Sequence, residues 1–411
     1  MLRNVFKSLV PVSEKKSRPT QRHTRLGGES LEARLPLTSV SLNLGLLTIT
    51  GDTAGPTNDT ITIAQTAAPG TFLVSSPTLP GGVHTEIGVK SIAISTGVSV
   101  GAGNDRVNFV AAAGAANFAG KIAITGNGNL TVDLVGADHN LSGSLKITDT
   151  FPTGTLIVSN DTLLPLVGDP AGTDQLGNVN IAGSNGGTSI SLAGVVINGS
   201  ATFSLGNGQL GPANTLSIGE AAPDAEPAVI TGNLTVKGGD QNDVVVLAAT
   251  TVDGNVTASL GGSNGGAVAD AFAATVSTFN GNVSVTDHGQ LTAVFANSSV
   301  LRGLSIDTSA SVQNTVVAID GSTFKGAVNI TTGAGNDTVL VETLGAPGVA
   351  TEFFGAVSIK MGAGNDAIAL GGADQVIFFA SALFEGGTGT NTLAPTNVQF
   401  LGSNPVIKHL G

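Results

Sequence analysis

Carboxylates set in glycine-rich turns are the residues of this chain best placed to do chemistry. Gly101-Ala102-Gly103-Asn104-Asp105, Gly333-Ala334-Gly335-Asn336-Asp337 and Gly362-Ala363-Gly364-Asn365-Asp366 share one pattern, each followed by any residue and an apolar one. Gly238-Gly239-Asp240-Gln241-Asn242-Asp243 is a variant, and Gly386-Gly387-Thr388-Gly389-Thr390-Asn391 puts an amide in the acid position. Two chemistries suit such turns. Glycine takes positive φ while Asn or Asp caps its own backbone. Alternatively, carboxylate and carbonyl oxygens ligate a hard cation.

The cation reading is carried by a resemblance. These segments resemble the RTX nonapeptide, Gly-Gly-x-Gly-x-Asp-x-apolar-x. That resemblance implies calcium, held in an oxygen cage that an aspartate from one turn completes with the turn stacked beside it. The implied metal residues are Gly333, Gly335, Asn336, Asp337, Gly362, Gly364, Asn365 and Asp366, with Asp105 and Asp243 as further candidates. The sequence departs from the family in two ways. Val100, Thr332 and Met361 replace the first glycine, and the motifs are not in tandem. Only Asp337 and Asp366 read as lying in adjacent coils, whereas Asp105 and Asp243 read as lacking a matching neighbour. The implied affinity is weak, near the ~10⁻⁴–10⁻³ M of extracellular modules.

Enzyme patterns are poor by comparison. Gly261-Gly262-Ser263-Asn264-Gly265 matches Gly-x-Ser-x-Gly, but no strand-turn-helix elbow surrounds it. Gly206-Asn207-Gly208-Gln209-Leu210-Gly211 is followed by Pro212 and a strand pattern rather than the helix a dinucleotide site needs. His23, His84, His139, His288 and His409 lack metal-ligand spacing. Asp149 and Asp287 recur at one repeat position, five coils apart. Trp and Tyr, the usual sugar platforms, are absent.

The elements that must position these turns follow from a repeat. Its unit is Gly, any residue, apolar, any residue, apolar, beginning at Gly120, Gly143, Gly177, Gly199, Gly232, Gly254, Gly281, Gly326 and Gly355, and shortened by one residue at Gly303-Leu304-Ser305-Ile306. The spacings are 23, 34, 22, 33, 22, 27, 22, 23 and 29 residues, a constant floor with insertions. Alternation predicts strands and glycine predicts turns. A second alternating run follows each unit, as in Thr315–Ile319, and then a short apolar patch such as Ser322-Thr323-Phe324. Three short strands in ~22 residues make one coil of a solenoid, which buries its core only by stacking. Asn178, Asn233, Asn255 and Asn282 recur after the repeat glycine, either as a hydrogen-bonded ladder along the axis or as plain turn formers. Insertions at 164–174, 220–227 and 343–350 all follow the second strand of their coils, so they should leave from one edge. Either that edge is a binding face or it reflects the tolerance of loops for length.

Composition bounds the class. The chain has 411 residues, 58 of them Gly and none Cys, with 11% charged residues. This excludes a disulfide-stapled domain, and so much apolar residue with so little charge excludes a disordered chain. Net charge is −12, yet the first 34 residues hold 8 of the 17 Lys and Arg against three acids. The remainder is strongly acidic, which repels nucleic acid and attracts cations or simply maintains solubility. Lysine and proline interrupt the apolar run at Val5–Val12, so a standard secretory signal is not read there, and no run approaches a transmembrane helix. Leu31-Glu32-Ala33-Arg34-Leu35-Pro36-Leu37-Thr38, interrupted by Pro36, resembles the Leu-Glu-x-Arg-x-Leu-Leu segment near the start of exported surface proteins of planctomycete bacteria, which implies export.

The expectation is an all-β, right-handed parallel β-helix of about ten coils with a short β cap. Residues 1–38 would be a flexible basic export-like arm, 39–90 the cap, 91–400 the repeat domain and 401–411 a tail. The expected function is a non-catalytic structural or adhesive repeat protein, secreted or on the cell surface. Its expected partners are extracellular matrix, surface polysaccharide or other surface proteins, without nucleic acid or a transmembrane segment. The alternative is a carbohydrate-active β-helix enzyme, a polysaccharide lyase or glycoside hydrolase. Acids and bases clustered in one sheet groove would favour the enzyme; an even polar surface would favour the scaffold.

Overall fold

The computed structural model describes residues 39–51, 58–96, 103–111, 116–135, 139–151, 153–161, 174–207, 213–220, 227–240, 242–262, 269–343 and 348–410. The basic arm, half or more of each long insertion and residues 263–265 and 208–211 of the two enzyme-like patterns lie outside them. The described residues form a parallel β-solenoid of about ten turns, all β and without a helix. No helix among them is long and apolar enough to cross a membrane.

One coil explains the rest. In the coil that starts at Val256, strand Val256–Ser259 lies in sheet I, Asp270–Thr275 in sheet II and Thr278–Phe279 in sheet III. The next glycine, Gly281, returns the chain to sheet I at Val283–Thr286. Sheets I and II each contain 15 strands and sheet III contains 11. Within each strand the alternating residues are buried, as in Val283 and Val285 against Ser284 and Thr286, so period-two alternation sends one face to the axis. Antiparallel strands close the N-terminal side: Ser39–Asn43 pairs Leu46–Thr50, and Thr71–Ser75 pairs both Thr60–Gln65 and Val83–Ile87.

Register is kept coil after coil, so like residues stack. Along sheet III the inward column runs Leu141, Leu176, Ile197, Ile230, Val252, Phe279, Val300, Phe324, Phe353, Phe378 and Phe400. The core thus changes from aliphatic to aromatic. Phe324, Phe353, Phe378 and Phe400 stack at 5.2, 5.0 and 5.0 Å with planes within 12° of parallel. Offset-stacked rings of this kind add about 0.5–1.5 kcal/mol per pair beyond their burial.

The repeat glycine is required by close approach. A Cβ on Gly177 would stand 1.9 Å from the carbonyl oxygen of Gly143 one coil earlier, far inside contact distance. The coils touch backbone to backbone at that corner, which no side chain permits. The corner from sheet II to sheet III uses the left-handed region instead, at Ala249, Val276 and Asn297 with φ of 47°, 52° and 50°. For the β-branched Val276 this backbone is strained.

Candidate functional site

The aspartates of the Gly-x-Gly-Asn-Asp turns point to the axis, at the first inward position of sheet II. Asp337 and Asp366 are 0% and 2% exposed, Asp243 0% and Asp105 5%. Each continues the alternation of its strand: Asp337 shares the inner face with Val339 and Val341. Sheet register stacks these positions into one interior column, which passes Thr188, Asn214, Asp243, Asp270, Leu291, Thr315, Asp337, Asp366 and Asn391.

The column is a hydrogen-bond ladder. A side-chain Oδ1 accepts the backbone amide one coil earlier: Asn214 from Thr188 at 2.9 Å, Asp270 from Asp243 at 2.7 Å, and Asp337 from Thr315 at 2.7 Å. Asp366 accepts from Asp337 at 2.9 Å and Asn391 from Asp366 at 2.9 Å. Asp105 likewise accepts the amide of Asp59 at 3.1 Å. The amide of Asn214 differs in donating its Nδ2 to Asp243 Oδ1 at 2.8 Å, while Gly239 N donates to Asp243 Oδ2 at 2.8 Å.

The asparagines just before Thr315, Asp337 and Asp366 build a second ladder on the outside, with the opposite sense. Asn336 N donates to Asn314 Oδ1, Asn365 N to Asn336 Oδ1 and Thr390 N to Asn365 Oδ1, at 2.8–2.9 Å. Asparagine therefore reaches toward the C-terminal coil and aspartate toward the N-terminal one. A third ladder settles the question left open at the Gly-Asn corner. Asn178 Oδ1 accepts Ser200 N, Asn233 accepts Asn255 N, Asn255 accepts Asn282 N and Asn282 accepts Gly303 N, all at 2.8–2.9 Å. These asparagines are a ladder and not only turn formers.

The glycines serve the same stacking. At Gly364 (φ +148°) a Cβ would fall 1.8 Å from the carbonyl oxygen of Gly335, so the turns of successive coils nest without room for a side chain. The carbonyls of Gly333 and Gly362 already accept the amides of Ala363 and Thr388.

Sequence register pairs Asp337 with Asp366, and the structure places them in adjacent coils at 29 residues' separation. Two other expectations need correction. Asp105 does have a neighbour, Asp59 of Asn58-Asp59, and Asp243 has Asp270. Both partners were hidden because neither carries the glycine pattern before it, and loop length varies between the coils. The remaining oxygens decide the electrostatics. Oδ2 of Asp270, Asp337 and Asp366, and both oxygens of Asp287, are buried without a hydrogen-bond donor. Burial raises the pKa of Asp366, opposed by the Asp337 amide and supported by the Asp337 charge. Burial pushes Asp243 up to about 6, against the bonds from Asn214 and Gly239.

A fourth ladder was not read from sequence. Thr250 N donates to Ser277 Oγ, Ser277 N to Ser298 Oγ, Ser298 N to Ser322 Oγ and Ser322 N to Thr351 Oγ1, at 3.1–3.2 Å. Its signal is present: Thr250-Thr251-Val252, Ser277-Thr278-Phe279, Ser298-Ser299-Val300 and Ser322-Thr323-Phe324 repeat two hydroxyls before an apolar residue. At its end, Thr351 Oγ1 donates to Glu342 Oε1, which also takes the Gly321 amide at 2.8 Å. Burial pushes Glu342 up to about 7, opposed by the Thr351 hydroxyl.

Asp149 and Asp287 do not meet. Asp149 accepts the Ser184 hydroxyl at 2.9 Å and the Phe151 amide at 3.1 Å. His139 is buried against Asp174, Nδ1 to Oδ1 at 3.0 Å, with Nε2 3.1 Å from the Phe109 carbonyl. His84 approaches the Pro80 carbonyl at 2.8 Å. Among the described residues no three or more His, Asp or Glu side chains gather as a metal-binding group. The outer face of sheet I carries a polar row in its middle, which gives way to Lys146 and Ala123 on one side and to Leu383 and Val406 on the other. Asn180, Thr202, Thr235, Thr257, Ser284, Ser305, Asn329 and Ser358 stand in one register row along it.

No protein-family model, curated protein or solved structure matches this chain.

Proposed function

We propose that this chain is a non-catalytic structural and adhesive rod, secreted or held at the cell surface. The observation that carries the reading is where the polar side chains go. The interior acids and the corner amides and hydroxyls link one coil to the next, while the outer face of sheet I presents an in-register row of small hydroxyl and amide groups. Such a row suits repeated weak contacts with a periodic surface polysaccharide or with other surface proteins, and it does not suit a reaction centre. The export-like segment at 31–37 supports the location.

Calcium belongs to the same proposal. The bare Oδ2 atoms of Asp337 and Asp366 are the anionic oxygens open to it, and it would neutralise two buried charges in adjacent coils. The turn carbonyls of Gly333 and Gly362 are already hydrogen-bonded, so they would have to accept twice.

One experiment tests both parts. The whole chain is sedimented with insoluble cell-envelope polysaccharide, in millimolar calcium and with chelator, and its thermal midpoint is measured in the same buffers. Expected are co-sedimentation weakened several-fold by Thr235→Glu with Thr257→Glu, and a midpoint several degrees higher in calcium. That rise should vanish in Asp337→Asn with Asp366→Asn, which keeps every Oδ1 acceptor. Release of reducing ends or unsaturated sugars during the incubation overturns the non-catalytic reading, and an unchanged midpoint overturns the calcium.

A further inference from the structure

We propose that the outer face of sheet II is a docking surface for a second copy of this chain, packed face to face about a two-fold axis that runs parallel to the strands. The inference does not rest on the adhesive reading, because the row on sheet I lies outside the contact.

A sheet face that meets water is normally polar. Sheet I follows that rule in its middle coils, which turn Thr257, Ser284, Ser305 and Asn329 outward. In the same coils sheet II breaks it. Its first outward row runs Val244, Ala271, Thr292, Val316, Thr338 and Ala367. Its second row runs Val246, Ala273, Val294, Ala318, Leu340 and Ala369. Neither row holds a charged group. Earlier coils of the same face are of the other kind, with Arg106 paired to Asp133 at 2.6 Å and the Ser159 hydroxyl donating to Asp133. The apolar stretch is therefore confined to one part of one sheet.

Its size suits a pair of copies. Six strands ~4.8 Å apart, with three outward positions ~6.8 Å apart along each, cover roughly 29 by 20 Å, or about 600 Å². That is at the upper limit of what a monomer leaves to water. Two such faces together bury about 1,200 Å², the lower bound of a standard specific interface.

The second row identifies the occupant. It alternates large and small without a break: Val246, Ala273, Val294, Ala318, Leu340, Ala369. Read backwards, such a row is its own complement. A two-fold axis between the strands of Val294 and Ala318 sets Val294 over Ala318 of the other copy, Leu340 over Ala273 and Val246 over Ala369. Each contact occurs twice, as an isologous interface requires. Large over large would hold the sheets apart and small over small would leave voids, so this phase alone gives even packing at the ~10 Å of stacked sheets. Ala318, at the centre, is 5% exposed, a recess between its larger neighbours. The first row follows the same symmetry, with Val244 over Ala367 and Thr338 over Ala271.

The charges fall where the symmetry tolerates them. Asp320 ends the strand that carries Ala318 and is registered against Ala296. The same axis puts Asp320 opposite Ala296 of the other copy at the rim, not opposite itself. Ser217 then faces Ala394, and the Arg106–Asp133 pair lies three strands farther out, beyond the facing rows.

The test follows the whole chain, with chelator present, by sedimentation equilibrium from sub-micromolar to several hundred micromolar. A reversible monomer–dimer equilibrium is expected. Ala273→Leu sets two large side chains against each other, and Leu340→Ala leaves a void over Ala273. Each should weaken the dimer about ten-fold, and both in one chain should return it to within about three-fold of wild type. Positions 273 and 340 are three coils apart in one chain, ~14 Å, so recovery passes only through the partner. Both face outward, so the far-UV circular dichroism and thermal midpoint of the monomer should stay as in wild type. The chain has no cysteine, which allows an independent reading. When Ala273→Cys chains are mixed with Leu340→Cys chains and oxidised, the mixed disulfide dimer should outweigh either self-linked one. A chain that stays monomeric throughout overturns the proposal. So does a dimer that neither single variant weakens, or one in which the exchange brings no recovery and the mixed disulfide does not prevail.

Discussion

Two stretches of one interior column treat their acids differently. From Thr315 to Asn391 the ladder is unbroken: each Oδ1 takes an amide from the coil before, and Asn391 ends the run without charge. From Asn214 to Leu291 the ladder is interrupted. Asp243 has both oxygens filled, Asp270 has one, and the next position is Leu291. Asp270 Oδ2 is therefore left buried without a donor. The same residue type at the same repeat position thus takes one amide per aspartate in the first stretch, and in the second is filled on both oxygens at Asp243 and on one at Asp270. What differs is the next coil, not the turn that carries the aspartate.

Removing acceptors from the unbroken stretch should have the largest effect. Asp337→Ala with Asp366→Ala orphans the buried amides of Thr315 and Asp337 and should cost about 3–5 kcal/mol in urea unfolding. The doubly amidated variant should stay within about 1 kcal/mol of wild type, because Oδ1 survives. Equal losses in the two variants would mean that charge, and not the acceptor, holds this stretch.

In the interrupted stretch, Asp243→Ala strands the Gly239 amide and removes one of the two bonds that Asn214 Nδ2 donates, and should cost about 2–3 kcal/mol. Asp243→Asn keeps only one acceptor and turns an NH2 toward Gly239 N or Asn214 Nδ2, so it should cost about 1–3 kcal/mol and also change the pH profile. With a folded pKa of about 6, Asp243 lowers stability as pH climbs from 3.8 to 6 and adds no slope above it. A flattening confined to that window would identify Asp243 as its source. The smallest effect belongs to the exposed corner. Asn255→Ala removes one solvent-facing rung, to Asn282 N, and should cost about 0.5–1 kcal/mol. A loss as large as that of the interior double variant would remove the distinction between inner and outer ladders.

Much of this was legible in the sequence. Gly143 and Gly177 mark a corner where backbones touch, and that contact writes glycine into most coils, with Arg302 and Ala380 at the equivalent position of two others. The alternation around Val283 and Val285 marks the inner face. Asn233, Asn255 and Asn282 stack because register is constant, so their recurrence could be read as a ladder. The link from Asp243 to Asp270 was not legible. Residue 270 follows a loop of different length and lacks the Gly-x-Gly signature, and only strand register shows that it occupies the same rung. Asp287 escaped for another reason. Its burial depends on the chain turning inward after Thr286, and single-residue patterns do not encode that direction. The paired hydroxyls at Ser277-Thr278 and Ser298-Ser299 were visible but meant little until the left-handed corner before them was known.

The opposite reach of neighbouring Asn and Asp residues bears on how such a chain changes its length. Asn365 clasps the coil ahead and Asp366 the coil behind, and neither contact extends past the adjacent coil. A duplication or excision cut at equivalent glycines would rejoin donors to acceptors of the same kind on both sides of the scar. Growth by whole coils is then chemically seamless, whereas a partial coil would shift every rung beyond it.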